Sequence, residues 1–244
     1  MRKKFVHISQ TGSTNDYIRG LTPPDNDEML VVTTDYQSAG RGQGTNRWES
    51  EPGENLLCSI MVAPQGIKPV CQFLLSEAGA LAVADALDHY TDGISLKWPN
   101  DVYWYDRKIS GTLIQTSMAS GALRHCIYGI GVNINQRLFR SDAPNPVSLR
   151  QITGHVTDCQ EVLQYMLEAL EKYLTMLYQG DAAQVREAYH SRLYRCNGVY
   201  PFRDAQGDFM AEILHVADEG PITLRDTQGH LRTYHFKELQ FIIP

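Results

Sequence analysis

The sequence lacks the features that mark several classes of protein. Its 28 acidic residues outnumber its 22 basic residues, which gives a formal net charge of −6. A broad nonspecific nucleic-acid binder normally carries a basic surface that neutralises phosphates, so this charge argues against such a role. The five cysteines are an odd number without a CxxC pair or metal-ligand spacing. Neither a disulfide framework nor a zinc site is therefore indicated, and a reducing compartment is expected.

Long apolar runs are also missing. The first ten residues have a basic start but no apolar stretch of signal-peptide length, and no later stretch is expected to span a bilayer. Internal repeats and low-complexity segments are not found. Hydrophobic residues make up 43% and charged residues 20% of the 244 positions, which is ordinary for a globular protein. We therefore expect a cytoplasmic protein with one large domain, or one medium domain with a small appendage.

Glycine is concentrated in one loop. The segment 36–50 has glycines at 40, 42 and 44, together with two arginines and a tryptophan, and it lies between strand-like runs at 30–34 and 56–62. Alternate glycines leave successive backbone N–H groups accessible to an anion, which favours a phosphate or carboxylate site. A mobile surface loop that uses glycine only to turn explains the same pattern.

The apolar periodicity predicts a chain of mixed helices and strands. It indicates helices at 73–87 and 158–178, a β hairpin with arms 102–105 and 108–115, and a strand at 126–135. Two glycines, at 129 and 131, face the same side of that last strand, where either a flat ligand or tight sheet packing explains them. From about residue 195, short alternating segments separated by turns predict a small all-β barrel.

Several polar residues have plain structural explanations when each is taken alone. Ser13, Thr14 and Asn15 precede a short helical segment, where such side chains usually cap the helix, although they could instead line a ligand pocket. Lys108 on the hairpin fits a solvated surface lysine, and Lys97 fits a packed stem.

Taken together, five motifs in register resemble the biotin–protein ligase family. They are Ser13-Thr14-Asn15, Gly40-Arg41-Gly42 with Trp48, Lys97-Trp98-Pro99-Asn100-Asp101, Arg107-Lys108 with Gly111, and Gly129-Ile130-Gly131-Val132-Asn133. The resemblance implies an α+β fold with two domains. Residues 1–190 are expected to form a catalytic domain with a mixed sheet flanked by helices, like that of the class II aminoacyl-tRNA synthetases, and residues 195–244 an SH3-like β barrel. It also implies an ATP-dependent ligase that activates biotin as biotinyl-5′-AMP and transfers it to a lysine of a biotin carboxyl carrier protein.

The same resemblance assigns roles to individual residues. Lys108 and Arg41 are expected to be catalytic, because each can contact the biotin carboxylate and the α-phosphate together. Trp48 is expected to stack on adenine, and Asn100 to hold Mg²⁺ together with substrate phosphates. The implied biotin-binding set is Ser13, Thr14, Asn15, Gln37, Gly40, Arg41, Gly42, Gln43, Lys108, Gly111, Gly129 and Gly131, and the implied nucleotide-binding set is Arg41, Gln43, Asn46, Trp48, Asn100, Lys108 and Asn133.

Two departures from the family pattern bear on function. Better-known members have a glycine loop close to Gly-Arg-Gly-Arg-x-Gly-Arg, whereas Gln43 and Asn46 replace the second and third arginines here. Two cationic contacts to the adenylate or pyrophosphate are therefore missing, although the neighbouring Arg47 could supply one of them. The loss predicts faster leakage of the adenylate than in an arginine-bearing relative. The catalytic resemblance begins within the first fifteen residues, which predicts a monofunctional ligase without the N-terminal DNA-binding domain of the repressor members and without operator binding.

Two other functions fit the motifs less well. A lipoate or octanoyl ligase or transferase has a related architecture and acylates a similar carrier lysine, and a noncatalytic biotin-binding protein would keep the pocket without turnover. Related enzymes pair through a sheet edge in some cases and are monomers in others, so the resemblance leaves a homodimer open.

Overall fold

The protein is described by a computed structural model that covers residues 1–44, 46–141 and 144–243. The strands are β1 (Arg2–Thr11), β2 (Glu28–Gln37), β3 (Leu56–Val62), β4 (Ile94–Lys97), β5 (Asp101–Trp104), β6 (Arg107–Ala119), β7 (Ala122–Val132), β8 (Tyr200–Asp204), β9 (Gly207–Val216), β10 (Ile222–Asp226), β11 (Leu231–Tyr234) and β12 (Gln240–Phe241). The α-helices are α1 (Thr14–Arg19), α2 (Phe73–Leu87), α3 (Leu149–Thr153), α4 (Cys159–Gln179) and α5 (Ala182–Ser191).

The first seven strands form one mixed sheet in the order β1-β2-β3-β7-β6-β5-β4. β1 runs parallel to β2, with α1 between them in the chain, and the other neighbours are antiparallel. Successive residues of a strand point to opposite faces. Met29 and Val31 of β2 accordingly join the core shared with α2 and α4, whereas Leu30 and Val32 pack against Ile18 of α1. Helices therefore cover both faces, and the predicted fold class is confirmed.

The central helix α2 begins and ends where the periodicity predicts. The segment Pro69–Leu87 is long and apolar enough to cross a membrane by length and composition, with a mean hydropathy of 1.5. The expectation that no stretch meets those criteria is therefore wrong. However, 72% of its 18-residue window is buried inside the fold. At Gly79 an added Cβ would lie 2.8 Å from the Tyr128 ring, so small residues let the helix approach the sheet closely.

The last five strands form a second, antiparallel sheet in the order β11-β10-β9-β8-β12. This sheet fits the SH3-like unit expected at the C-terminus. It contacts the rest of the protein through polar bonds, since Trp98 Nε1 donates to Gly220 O at 2.9 Å and Arg186 pairs with Asp218 at 2.7 Å. The division at residues 190 and 195 stays a prediction.

Candidate active site

A cavity of about 620 Å³ is lined by residues from both sheets. It gathers most of the residues singled out in the sequence. Those that line it are Ser13, Thr14, Asn15, Gln37, Arg41, Gly42, Gln43, Asn46, Trp48, Asn100, Lys108, Gly111, Gly129 and Gly131. Gly40 and Asn133 are not among the lining residues. Gly40 instead allows two backbone segments to meet, because its carbonyl accepts from Trp48 N at 3.0 Å and a Cβ there would lie 2.6 Å from Trp48 O.

A buried polar cluster at the start of α1 forms one part of the cavity. Ser13 stands at the helix N-cap, but no side-chain cap bond is present. The Thr14 backbone N–H and hydroxyl both donate to Gln37 Oε1, at 2.8 and 3.1 Å. Ser59 Oγ lies 2.7 Å from Thr14 Oγ1 and also contacts Asn15 Oδ1. These side chains therefore form a preorganised set of donors and acceptors rather than a helix cap.

Ser59 was not predicted to belong to this cluster. It is the polar residue of the otherwise apolar strand β3, and it is 0% exposed. A hydroxyl at a fully buried strand position normally has a specific partner. That mismatch of polarity and burial is the signal that could have identified it.

The glycine pair on β7 makes room for side chains of the protein itself. A Cβ on Gly129 would collide with Asn15, and a Cβ on Gly131 would collide with the Trp48 indole. Across the sheet, a Cβ on Gly111 would lie 3.1 Å from Trp48 Cζ3. Close packing is therefore observed at both glycines, and both also line the cavity. The indole Nε1 is buried without a hydrogen-bond partner among the described residues, and such an orphan donor inside a cavity costs free energy unless a ligand satisfies it.

Lys108 is paired and only partly exposed, unlike a solvated surface lysine. Its Nζ lies 2.7 Å from Asp101 Oδ2 and 6.0 Å from the centroid of the Trp48 ring, and 28% of the side chain is exposed. The backbone is fixed as well, because Lys108 N donates to Asn145 O at 3.0 Å and Lys108 O accepts from Val147 N at 2.9 Å. The ammonium is thus placed beside the indole by strand pairing on one side and a loop on the other.

Lys97 has no carboxylate within ion-pair distance in the part of the chain that the structure describes. Its Nζ lies 5.6 Å from the centroid of the Tyr103 ring and 4.8 Å from that of Phe241 in β12. Burial lowers the pKa of Lys97, and the nearby Asp101 charge opposes that effect. Aromatic faces stabilise a cation weakly compared with a carboxylate. The ammonium of Lys97 is therefore held between two rings without a strong partner among the described residues, and the packing of its stem agrees with the plain structural explanation.

Arg41 points towards α1. Its Nη1 donates to both oxygens of Asp16, at 2.8 and 3.0 Å. Both side chains are about half exposed, so this contact is weak and exchangeable. The loop closes on itself where Gly42 N donates to Asn46 O at 2.8 Å.

Comparison with known proteins identifies the family. The model of the biotin/lipoate A/B protein ligase family matches residues 7–133. The chain belongs to this family. It is 28% identical to the biotin–[acetyl-CoA-carboxylase] ligase of Paracoccus denitrificans over 91% of this chain and 94% of that protein. It is 26% identical to the bifunctional ligase/repressor BirA of Bacillus subtilis over 96% of this chain and 73% of that protein.

Solved structures agree with the assignment to the biotin/lipoate A/B protein ligase family. A mutant biotin protein ligase from Aquifex aeolicus, solved with biotin, is 25% identical, has a TM-score of 0.79 and covers all of both chains. The structure of that ligase with biotin and ATP has a TM-score of 0.78 over 98% of this chain and 99% of that chain. At 23% identity, this second comparison supports the fold alone. The predicted resemblance to biotin–protein ligases is confirmed.

In this member of the biotin/lipoate A/B protein ligase family, the described residues contain no group of three His, Cys, Asp or Glu that could hold a metal. Asn100 lines the cavity and donates from Nδ2 to Thr112 O at 2.8 Å. Asn133 donates to Val147 O at 3.1 Å, and its Oδ1 is buried without a partner within the described ranges. The amide of Asn100 and the carboxylate of Asp101 are oxygen donors that suit Mg²⁺ completed by phosphate and water, but they do not form a protein-only cage.

Glu49 is a further residue that the sequence analysis missed. Its carboxylate accepts from the backbone N–H groups of Arg140 and Ser141 at 2.8 and 2.7 Å, and from Gln136 Nε2 at 3.2 Å. Burial raises the pKa of Glu49, but these donors outweigh that effect and the net pKa is lowered. Glu49 follows Trp48 directly in the chain. Its hydrogen bonds therefore hold the backbone beside Trp48 against residues 140–141, which precede Asn145.

Proposed function

We propose that the protein is an ATP-dependent biotin–protein ligase that forms biotinyl-5′-AMP and transfers the biotinyl group to a lysine of a biotin carboxyl carrier protein. One arrangement carries the proposal. The buried polar cluster lies over Gly129, Trp48 lies over Gly131 two residues further along the same strand, and Lys108 is beside the indole. A polar pocket, an aromatic platform and a cation therefore meet within reach of one extended ligand.

The charge of the cavity supports an anionic substrate. Although the protein carries a net charge of −6, five cationic side chains and one carboxylate, Asp101, are among the lining residues. The cations are Arg41, Arg47, Lys97, Lys108 and Lys237. Such local excess positive charge suits a carboxylate and a polyphosphate that would otherwise repel each other.

Two chemical steps follow from this assignment. A biotin carboxylate oxygen attacks the α-phosphorus of ATP while the bond to the β-phosphate oxygen breaks, so that pyrophosphate leaves. The acceptor amine then attacks the acyl carbon, loses a proton and displaces AMP. In the first step Lys108 would exchange its contact with Asp101 for the two anions, and Arg41 would leave Asp16 to close the loop over the phosphate. Both exchanges replace one charged partner with another, so neither cation is left unpaired.

We infer that Mg²⁺ accompanies ATP, with Asn100 and Asp101 of the cavity lining as protein oxygen donors. The ion would neutralise phosphate charge during the first step. The name of the Paracoccus relative supports a carboxylase carrier domain as acceptor. The acidic charge supports the expectation that the protein does not bind operator DNA. The five free cysteines support the expectation that it works in a reducing compartment, the cytoplasm.

Pyrophosphate release tests the proposal. With MgATP, biotin is expected to drive release by the wild type, and lipoate or octanoate is expected to drive none. Lys108→Ala is expected to remove the release, whereas Lys172→Ala on α4, whose Nζ lies 3.6 Å from Asp85 and which does not line the cavity, serves as the matched control. Release driven by lipoate would favour the lipoate branch of the family, and unchanged release by Lys108→Ala would contradict the role given to that residue.

A further inference from the structure

Lys237 has a backbone conformation that a lysine adopts at a cost. It lies between β11 and β12 with a φ of 75°, in the left-handed region that glycine occupies freely and that other residues rarely enter. Strain of this kind persists only where the surrounding structure holds the backbone in place. A glycine would make the same turn without strain, so the conformation alone does not explain why a lysine is present.

The side chain extends from the C-terminal sheet to the glycine loop. Lys237 lines the cavity, and a Cβ placed on Gly44 would lie 2.8 Å from Lys237 Nζ. No carboxylate of the described residues lies within ion-pair distance of this ammonium, in contrast to Lys108 with Asp101 and Arg41 with Asp16. The cation is therefore positioned over the loop without a protein partner of opposite charge.

The segment that carries Lys237 is anchored at the cavity. The Phe236 ring packs on Trp98 with 6.1 Å between centroids, and the backbone N–H of His235 donates to Glu238 Oε2 at 2.6 Å. A lysine on an anchored turn loses less freedom on binding an anion than one on a loose chain end.

The loop beneath it has two cations of its own at the cavity, Arg41 and Arg47. Gln43 and Asn46 both line the cavity, and neither carries the charge that the arginines of better-known relatives would supply. We propose that Lys237 supplies the missing phosphate contact from the C-terminal sheet, so that the nucleotide site is completed across the two sheets. The inference rests on the proposed function, because the anion it contacts is a phosphate of ATP.

Binding of α,β-methylene-ATP tests this inference without turnover, since the bridge that would be cleaved cannot break. The analogue is titrated with Mg²⁺ at saturating biotin. Lys237→Gly and Lys237→Met are each expected to raise the dissociation constant about fivefold, as suits one exposed charge contact. Lys237→Arg is expected to stay close to the wild type, and the affinity for biotin alone is expected to be unchanged in all three variants.

A matched control separates charge from backbone strain. Ser120 also has a positive φ, 50°, in the turn between β6 and β7, and it does not line the cavity. Lys237→Gly and Ser120→Gly are both expected to fold at least as stably as the wild type, and Ser120→Gly is expected to keep the wild-type affinity for the analogue. Equal affinities in the wild type, Lys237→Gly and Lys237→Met would overturn the inference. A wild type that binds the analogue but releases no biotin-dependent pyrophosphate from ATP would overturn the proposed function instead. In that case, weaker binding of the analogue by the Lys237 variants would still support Lys237 as a phosphate contact.

Discussion

Replacing Glu77 with glutamine is expected to stabilise the protein at neutral pH. Glu77 lies on α2, is 1% exposed, and its Oε2 has no hydrogen-bond partner in residues 1–44, 46–141 and 144–243. Burial raises the pKa of Glu77 to about 8, with the Arg186 charge opposing and the Asp218 charge adding to the effect. A carboxyl in this position stays protonated in the folded protein at pH 7, although it ionises in the unfolded chain.

The magnitude follows from linkage. Because the folded pKa lies above the unfolded value of 4.5, folding takes up a proton between these values, and stability falls as the pH rises through that window. At pH 7, about 2.5 pH units above the unfolded pKa, this proton uptake lowers the free energy of unfolding by about 3 kcal/mol, because each pH unit contributes about 1.4 kcal/mol. Glutamine has nearly the same shape and does not ionise, so it avoids this cost.

Urea unfolding at pH 5 and pH 7 measures the effect. Glu77→Gln is expected to exceed the wild type by less than about 1 kcal/mol at pH 5 and by about 3 kcal/mol at pH 7. The exposed Glu187 on α5 offers a control, and Glu187→Gln is expected to change little at either pH. An advantage of Glu77→Gln that is the same at both pH values would show that ionisation of Glu77 does not cause it.

Three further predictions concern the cavity. Gly131→Val is expected to displace the Trp48 indole and raise the KM for ATP about tenfold, measured by pyrophosphate release; an unchanged KM would argue that the indole does not contact the nucleotide. Glu49→Gln is expected to cost about 1 kcal/mol of stability above pH 5, and urea unfolding should show the difference shrinking as the pH falls through the lowered pKa of Glu49. Gln43→Arg is expected to slow the escape of free biotinyl-adenylate into solution; equal escape rates would show that this position does not retain the intermediate.

The sequence predicts elements well where one local pattern is continuous. α2 is a 15-residue helix at its predicted bounds, and β3 coincides with the predicted run at 56–62. β1 extends over Arg2–Thr11 because its parallel pairing with β2 continues over residues whose own alternation of apolar and polar side chains is weak. The hairpin turn falls at 105–106, one residue before the predicted position. α5 was not predicted, because its few apolar residues do not form a strong helical periodicity. They are buried because α5 packs against α2 and α4.

The candidate site was predictable as a set of motifs but not as a set of contacts. Motifs in register bring most of the named residues to one cavity, whereas the partners of each side chain depend on distant parts of the chain. Ser59 contacts Thr14 across 45 positions, and Glu49 holds Ser141 across 92. The position of Lys237 over the glycine loop depends on how the second sheet meets the first, which no local pattern encodes.

Transfer of biotin to a carrier is the activity on which the proposed function depends. The most direct measurement is the intact mass of a biotin carboxyl carrier domain after incubation with the protein, biotin and MgATP. We expect a gain of one biotinyl group that disappears when ATP is omitted or when the acceptor lysine of the carrier is replaced. An unmodified carrier under the complete conditions would contradict the proposed function.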